Sequence, residues 1–261
     1  TFSMCMGKIQ THPDTRHLPF SYVIADGLTT WLVPGCNFAT VGTYRDIMKW
    51  PKRDKRPLNG RRSIVNTEWL SPFVVQQVTE GRNYLRQLEA NDELNDEANA
   101  HVSGEGFTMR CSSALRGIGY YDMAIRMFLA DAVRKEGEAL PSSSTGTGEW
   151  LDLSGMYAPK SEIDQLADDI RFSSLDEIMQ VDDRLLDIHN HYSEYKWNYA
   201  YRLALNYYAL DTITSDDIEM IIRKGDEARS QWLSRIRKDA EKEFAMGDVS
   251  EEQLDDFLRG L

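Results

Sequence analysis

Seven lysine or arginine residues fall within the stretch KWPKRDKRPLNGRR, from Lys49 to Arg62, and Asp54 is the only acid among them. Cations at this density suit recognition of a phosphate-bearing ligand. Guanidinium forks pair bidentately with phosphate, ammonium groups act as point charges, and the indole of Trp50 offers a stacking face to a base or a cation. With Arg45 and Asp46 included, the stretch holds eight bases against two acids, which leaves twenty-two bases against forty acids elsewhere. The island therefore opposes the charge of the whole chain, which is -12. Arg45, Lys49, Trp50, Lys52, Arg53, Lys55 and Arg56 are the candidate ligand-binding residues. The alternative is intramolecular: the same cations neutralise an acidic bundle or an acidic partner subunit.

Other titratable groups offer less. His12 and His17 lie in the irregular stretch THPDTRHLPF and are the catalytic candidates, as general bases, because loops carry function more often than packed elements do. His189 and His191 are two residues apart, so on a helix they point about 200° apart and cannot close on one ion. Asp187 and His191 have the four-residue spacing of a surface pair. His101 stands in the acidic stretch NDELNDEANAHVSGEG, residues 91–106, which reads as a solvated loop because it lacks the ligand order and central glycine of a calcium-binding loop. Cys5, Cys36 and Cys111 are odd in number and form no C-x-x-C, so neither a disulfide framework nor a zinc ribbon is expected, and no metal site is assigned. The pair Gly117 and Gly119 is followed by Asp122 where a dinucleotide fingerprint needs its third glycine, which favours close helix packing. No Walker loop, G-x-S-x-G elbow or H-E-x-x-H occurs.

The elements that position these groups follow from periodicity and punctuation. FSYVIA at 20–25 and TTWLV at 29–33 flank Asp26-Gly27 and read as a small β element. Ser71-Pro72 opens a helix through Phe73, Gln77, Tyr84 and Leu88 to Ala90, and a second runs from Ser112 or Ser113 to about Glu136. Residues 137–149, GEALPSSSTGTGE, read as a linker. Beyond it, Pro159 opens a short helix, Ser173 and Ser174 with Asp176 and Glu177 cap a long helix reaching Leu210, Thr214 with Asp217 caps one running to about Ala245, and Ser250 with Gln253 caps a last short one. Seven tyrosines and tryptophans lie between His189 and Tyr208 and occupy more than one helix face, which marks a central core helix in preference to an aromatic platform for sugars or bases.

The expected fold is mainly α: a small N-terminal β element followed by an antiparallel helical bundle with long helices. The expected parts are 1–66, β-rich or irregular with the basic island; 67–136, a first helical part; 137–150, the linker; and 151–261, the C-terminal bundle. At 261 residues, 41% hydrophobic and 28% charged, the chain can bury one large core or two modest ones, which excludes disorder. No apolar run approaches the ~20 residues of a membrane span, and TFSMCMGKIQ lacks the order of a signal peptide. A cytoplasmic location, no membrane and no nucleic-acid partner are expected, the last from the acidic balance. The start at Thr1 reads as a processed chain or a fragment of something longer.

The runs PFSYVIADG, LVPGCNFATVGTYRDIMKWPKRDKR, RCSSALRGIGYYDMAI, WLDLSGMYAPKSEID and YSEYKWNYA carry a resemblance. The chain resembles an uncharacterised family of long Bacteroides-type proteins that join an N-terminal left-handed parallel β-helix, similar to sugar-nucleotide acyltransferases, to a helical C-terminal region. The resemblance covers about Pro19 to Tyr199, and the KWPKRDKR block is its most specific part. It implies that the catalytic β-helix lies mostly outside this chain; fragments such as Val33-Pro34-Gly35 allow one residual coil at most. The implied function is that of a C-terminal accessory region of a sugar-nucleotide or acyl-CoA-type transferase-like protein, homo-oligomeric, binding CoA, a nucleotide sugar or an acidic carrier at the island. The alternative is a non-catalytic helical oligomerisation or protein-interaction module, and a hydrolase using His12 or His17 is a third. If the island is the binding site, changing Lys52, Arg53, Lys55 and Arg56 to Glu lowers affinity for nucleotide or CoA in calorimetry; unchanged affinity rejects that site.

Overall fold

The computed structural model describes residues 1–55, 64–94, 100–172, 178–244 and 251–261, without the side chains of Trp50, Glu243, Phe244, Glu251, Gln253 and Leu254. Its strands are Met4–Met6 (β1), Tyr22–Asp26 (β2), Thr29–Val33 (β3), His101–Gly104 (β4), Phe107–Arg110 (β5), Trp150–Leu153 (β6) and Met156–Pro159 (β7). Its helices are Val41–Arg53 (α1), Pro72–Ala90 (α2), Cys111–Glu136 (α3), Lys160–Arg171 (α4), Ile178–Asn190 (α5), Tyr192–Tyr208 (α6), Ser215–Phe244 (α7) and Glu251–Arg259 (α8). Contacts divide the chain into two units: Thr1–Lys49, Gln77–Met127 and Asp226–Leu261 form the first, and Trp50–Gln76 with Phe128–Gly225 the second. No described helix is long and apolar enough to cross a membrane.

The first unit is built on a five-stranded mixed sheet of order β1-β2-β3-β5-β4. β2 and β3 form a hairpin whose register pairs Val23 with Leu32 and Ile24 with Trp31. Gly27 takes a positive φ at the first turn position, a conformation glycine adopts without steric penalty. β3 then pairs in parallel with β5 at Trp31 and Thr108, and β5 pairs antiparallel with β4. Alternation sends Val23, Leu32, Phe107 and Met109 inward, all buried. The helical residues of this unit supply Leu85, Tyr121, Ile125 and Trp232 to the core.

Polar groups inside this core are matched. The Trp232 Nε1–H donates to the Phe38 carbonyl at 2.9 Å and to the Tyr44 hydroxyl oxygen at 3.1 Å, and the Tyr44 hydroxyl donates to the same carbonyl at 2.6 Å. Burial pushes the Tyr44 phenol far above its ordinary range, so it stays a neutral donor. The Val41 N–H at the start of α1 donates to Asp239 of α7 at 2.9 Å, a cap supplied from another helix. Asp122 on α3 accepts from Arg82 at 2.5 Å and Arg86 at 3.3 Å, both on α2. Two glycines permit close approach: a Cβ on Gly81 would lie 2.2 Å from the His17 carbonyl oxygen, and one on Gly117 would lie 3.0 Å from Pro34. A Cβ on Gly119 would meet no neighbouring element within 4 Å, so the packing role falls to Gly117 alone.

In the second unit, Trp150 of the β6–β7 hairpin is buried, with its Nε1–H on the Gly146 carbonyl at 2.8 Å and its ring edge-on to Tyr192 and Tyr199 of α6. The glycine- and serine-rich stretch 137–149 is tied to α6. Trp197 donates to the Ala139 carbonyl at 3.1 Å, Asn198 to the Thr145 carbonyl at 2.9 Å, and Ser142 to Glu194 at 2.5 Å. The aromatic helix is thus core, with Tyr195, Trp197 and Tyr199 buried.

The architecture corrects the expected bundle. Of the described residues 59% are helical, so mainly α holds coarsely, but a five-stranded mixed sheet and a separate two-stranded one replace a small β element followed by an antiparallel bundle. The added strands have three or four residues, too few to display a period of two in sequence. β4 falls inside the acidic stretch 91–106 because His101 and Ser103 face outward while Val102 and Gly104 are partly shielded. The stretch Val41–Arg53, expected to be irregular, is α1 despite Pro51, and it follows a 3₁₀ turn at Cys36–Ala39 where a residual β-helical coil had been allowed. The long helix expected to end at Leu210 is two, α5 and α6, meeting at His191 with φ -87° and ψ 4°. Ser173, Ser174, Asp176, Glu177 and Ser250 lie outside the described residues, as does the Gln253 side chain.

Two substitutions test this packing. Tyr44→Phe removes a buried donor and leaves Trp232 one acceptor fewer, so the urea midpoint is expected to fall by an amount equivalent to about 1–2 kcal/mol at unchanged slope. Gly81→Ala forces a methyl against backbone and is expected to cost roughly 1–3 kcal/mol, while Gly119→Ala, with open space around it, is not expected to lower the midpoint.

Candidate functional site

Strand alternation leaves Tyr22, Ile24, Asp26, Trp31, Val33, Thr108, Arg110, His101 and Ser103 on the face of the first unit's sheet opposite its core. Trp31 is half-buried there. The Arg110 guanidinium carbon lies 5.6 Å from the Trp31 ring centroid, and the His101 ring meets the indole edge-on at 6.1 Å. Arg110 is the last residue of β5, and the chain enters α3 at the next position without a loop. The Cys111 N–H donates to the Ala100 carbonyl at 2.9 Å at this junction. The positive end of a 26-residue helix dipole therefore opens beside Arg110, and its first turn holds no acid.

Arg116, one turn further on, folds back onto this helix start. Its Nε–H donates to the Ser112 carbonyl at 3.2 Å, and a terminal nitrogen donates to the buried Ser113 hydroxyl at 3.3 Å. Ile24, Asp26, Trp31, Arg110, Ser113 and Arg116 line a cavity of about 490 Å³ together with the backbone between them. That volume lies in the ~300–1,000 Å³ range of small-molecule sites. Arg110 and Arg116 are exposed, and neither pairs with a carboxylate among the described residues. Two guanidiniums without a carboxylate partner among the described residues, a helix N-terminus, a hydroxyl and an indole make a site that attracts an anion and holds a planar group. The nearby Cys36 thiol is pushed up by burial, which disfavours its thiolate.

The residues expected to bind ligand are placed differently. Arg45 is half-buried and lines an open groove of about 600 Å³ with Asn37, Thr43 and Asp46. Lys49 pairs with Asp46 one turn earlier at 2.8 Å. Lys52 and Arg53 end α1 in exposed positions, where cations complement the negative end of the helix dipole, and Lys55 is exposed just beyond. The Trp50 side chain and Arg56 lie outside the described residues. The division of the chain falls between Lys49 and Trp50, so Arg45 and Lys49 belong to the first unit and Lys52, Arg53 and Lys55 to the second. No described island residue lines the cavity at Trp31.

The histidines are equally dispersed. His12 is exposed, with its carbonyl packed against Gly106. His17 Nδ1 lies 2.5 Å from Glu80 Oε2 in a pair whose side chains are 58% and 42% exposed. His191 Nδ1 lies 2.9 Å from the Asp187 carbonyl oxygen, which raises its pKa on an open surface. No group of three or more His, Cys, Asp or Glu among the described residues could hold a metal ion.

Trp31, Arg110, Ser113, Arg116 and Asp26 escaped the reading of the sequence because they come from two distant stretches. A signal did exist: Arg110-Cys111-Ser112-Ser113 puts a guanidinium and two hydroxyls at the first turn of a strong helix pattern, the composition of an anion site.

Residues 1–89 match the model of a domain of unknown function (DUF4954), and residues 133–251 match that of a second domain of unknown function (DUF6819). No curated protein and no solved structure matches the chain.

Proposed function

We propose that this chain is a binding module for a phosphate-bearing small molecule, held where β5 runs into α3. The observation that carries this reading is the pair Arg110 and Arg116, without described carboxylate partners, at an acid-free helix N-terminus that opens on a cavity. Such charges, without a carboxylate partner among the described residues of a chain of net charge -12, suit an anionic guest. The resemblance to transferase-like proteins supports placing the module as an accessory region of a sugar-nucleotide or acyl-CoA-type transferase, with CoA or a nucleotide sugar among the ligands to try. Three free cysteines suit a reducing compartment, the cytoplasm.

A second reading, an oligomerisation or protein-interaction module, is favoured by one feature of the second unit. Ile170 on α4, Phe172 directly after it, and Ile178 and Met179 at the start of α5 are 45–80% exposed.

Calorimetry with inorganic pyrophosphate separates the readings. Binding is expected, and Arg110→Gln or Arg116→Gln is expected to weaken it about tenfold or more, the scale of a charge-assisted hydrogen bond. Reversal of Lys52 and Arg53 to Glu is expected to leave it in place. No binding, or binding lost only on the Lys52 and Arg53 reversal, overturns the assignment to α3.

A further inference from the structure

We infer that the ligand of this cavity is a guanine nucleotide, read by Asp26 at the end of the site opposite its cations. The inference rests on the reading of the cavity as a phosphate site and extends it to the rest of the ligand. The polarity comes from strand register. Trp31 pairs with Thr108 in a parallel ladder, which sets Arg110 level with Val33, two residues further along β3. In the hairpin, Asp26 pairs with Thr29, four residues from Val33 in the other direction. At ~3.3 Å per residue the backbone positions of Asp26 and Arg110 are about 13 Å apart along the strands, with Trp31 between them on the same face.

A ligand matching this order has a phosphate at one end, a planar aromatic group nearer the other and hydrogen-bond donors beyond it. A nucleotide has that order. Its phosphates fall at Arg110, Arg116 and the α3 N-terminus, and its base reaches the half-buried indole of Trp31, which Arg110 already approaches as a cation does a π face. What remains is the outer edge of the base. Asp26 lines the cavity, is exposed and has no described ion-pair partner. A carboxylate accepts only, and through two parallel oxygens. Guanine presents two adjacent donors, its ring N–H and exocyclic amine, and satisfies both oxygens. Adenine sets its amine beside a ring nitrogen lone pair and so turns an acceptor toward the carboxylate.

Calorimetry on the full chain with GDP, IDP, ADP and inorganic pyrophosphate tests this. GDP is expected to bind about tenfold or more tightly than ADP, with IDP, which lacks the exocyclic amine, between them. Asp26→Ala is expected to erase the preference for GDP over ADP without lowering pyrophosphate affinity. Asp26 is exposed at a hairpin end, and a circular dichroism melt of the variant confirms that it folds. Trp31→Leu is expected to weaken GDP several-fold more than pyrophosphate. Equal affinity for GDP and ADP with pyrophosphate bound overturns the guanine assignment and leaves the phosphate site standing. Absence of binding by all four ligands overturns both.

Discussion

The parallel pairing of β3 with β5 is the contact on which the candidate site depends. It joins Trp31 to Thr108 and so brings together two hairpins separated by all of α1, all of α2 and the first part of the acidic stretch. Closing so long a loop carries an entropic cost that grows slowly with its length, and hydrophobic burial has to offset it. The inward row of Val23, Leu32, Phe107 and Met109 supplies that burial. Once the pairing forms, the outward row has no freedom left: Trp31, Arg110 and Asp26 share a face because their inward neighbours do. A one-residue slip in β5 would turn Arg110 into the core and Met109 into water, an exchange that hydrophobic and charge burial both oppose.

The rest of the first unit holds this sheet with polar contacts placed where packing alone would permit sliding. Phe38, Tyr44 and Trp232 share one carbonyl and one hydroxyl inside the core, so the approach of α7 is fixed in direction as well as in depth. Asp122 does the same for α2 and α3 through Arg82 and Arg86. An ion pair of this kind contributes less to net stability than to register, because the desolvation of its partners offsets much of their attraction. Register matters here, since α3 carries both Arg116 and the helix terminus that faces the cavity.

The second unit solves a different problem. A stretch with the composition of a linker becomes a strap because α6 offers it Trp197, Asn198 and Glu194 as partners, and because Gly146, with φ +89°, lets the chain lie where any Cβ would touch the Tyr195 backbone. Composition reports how freely a segment moves in isolation; the neighbouring surface decides whether it moves in the fold. The aromatic crowding of α6 has the same origin, since a helix covered by a strap on one side and a hairpin on another needs large side chains on both.

What the amino-acid sequence determined by itself is local. The β2–β3 hairpin around Asp26-Gly27, the start of α2 at Pro72, the long reach of α3 and the extent of α7 follow from turn chemistry, caps and periodicity, each acting within a few residues. Only the tertiary structure decided that three- and four-residue strands exist, that Lys49 meets its own acid Asp46 while Lys52 and Arg53 fall at a helix end, and that Arg110 and Trp31 meet at all. The physical reason is range. Turns and caps are settled by bonds between near neighbours, whereas short strands and composite sites gain their free energy from partners far along the chain, and no local pattern carries that information.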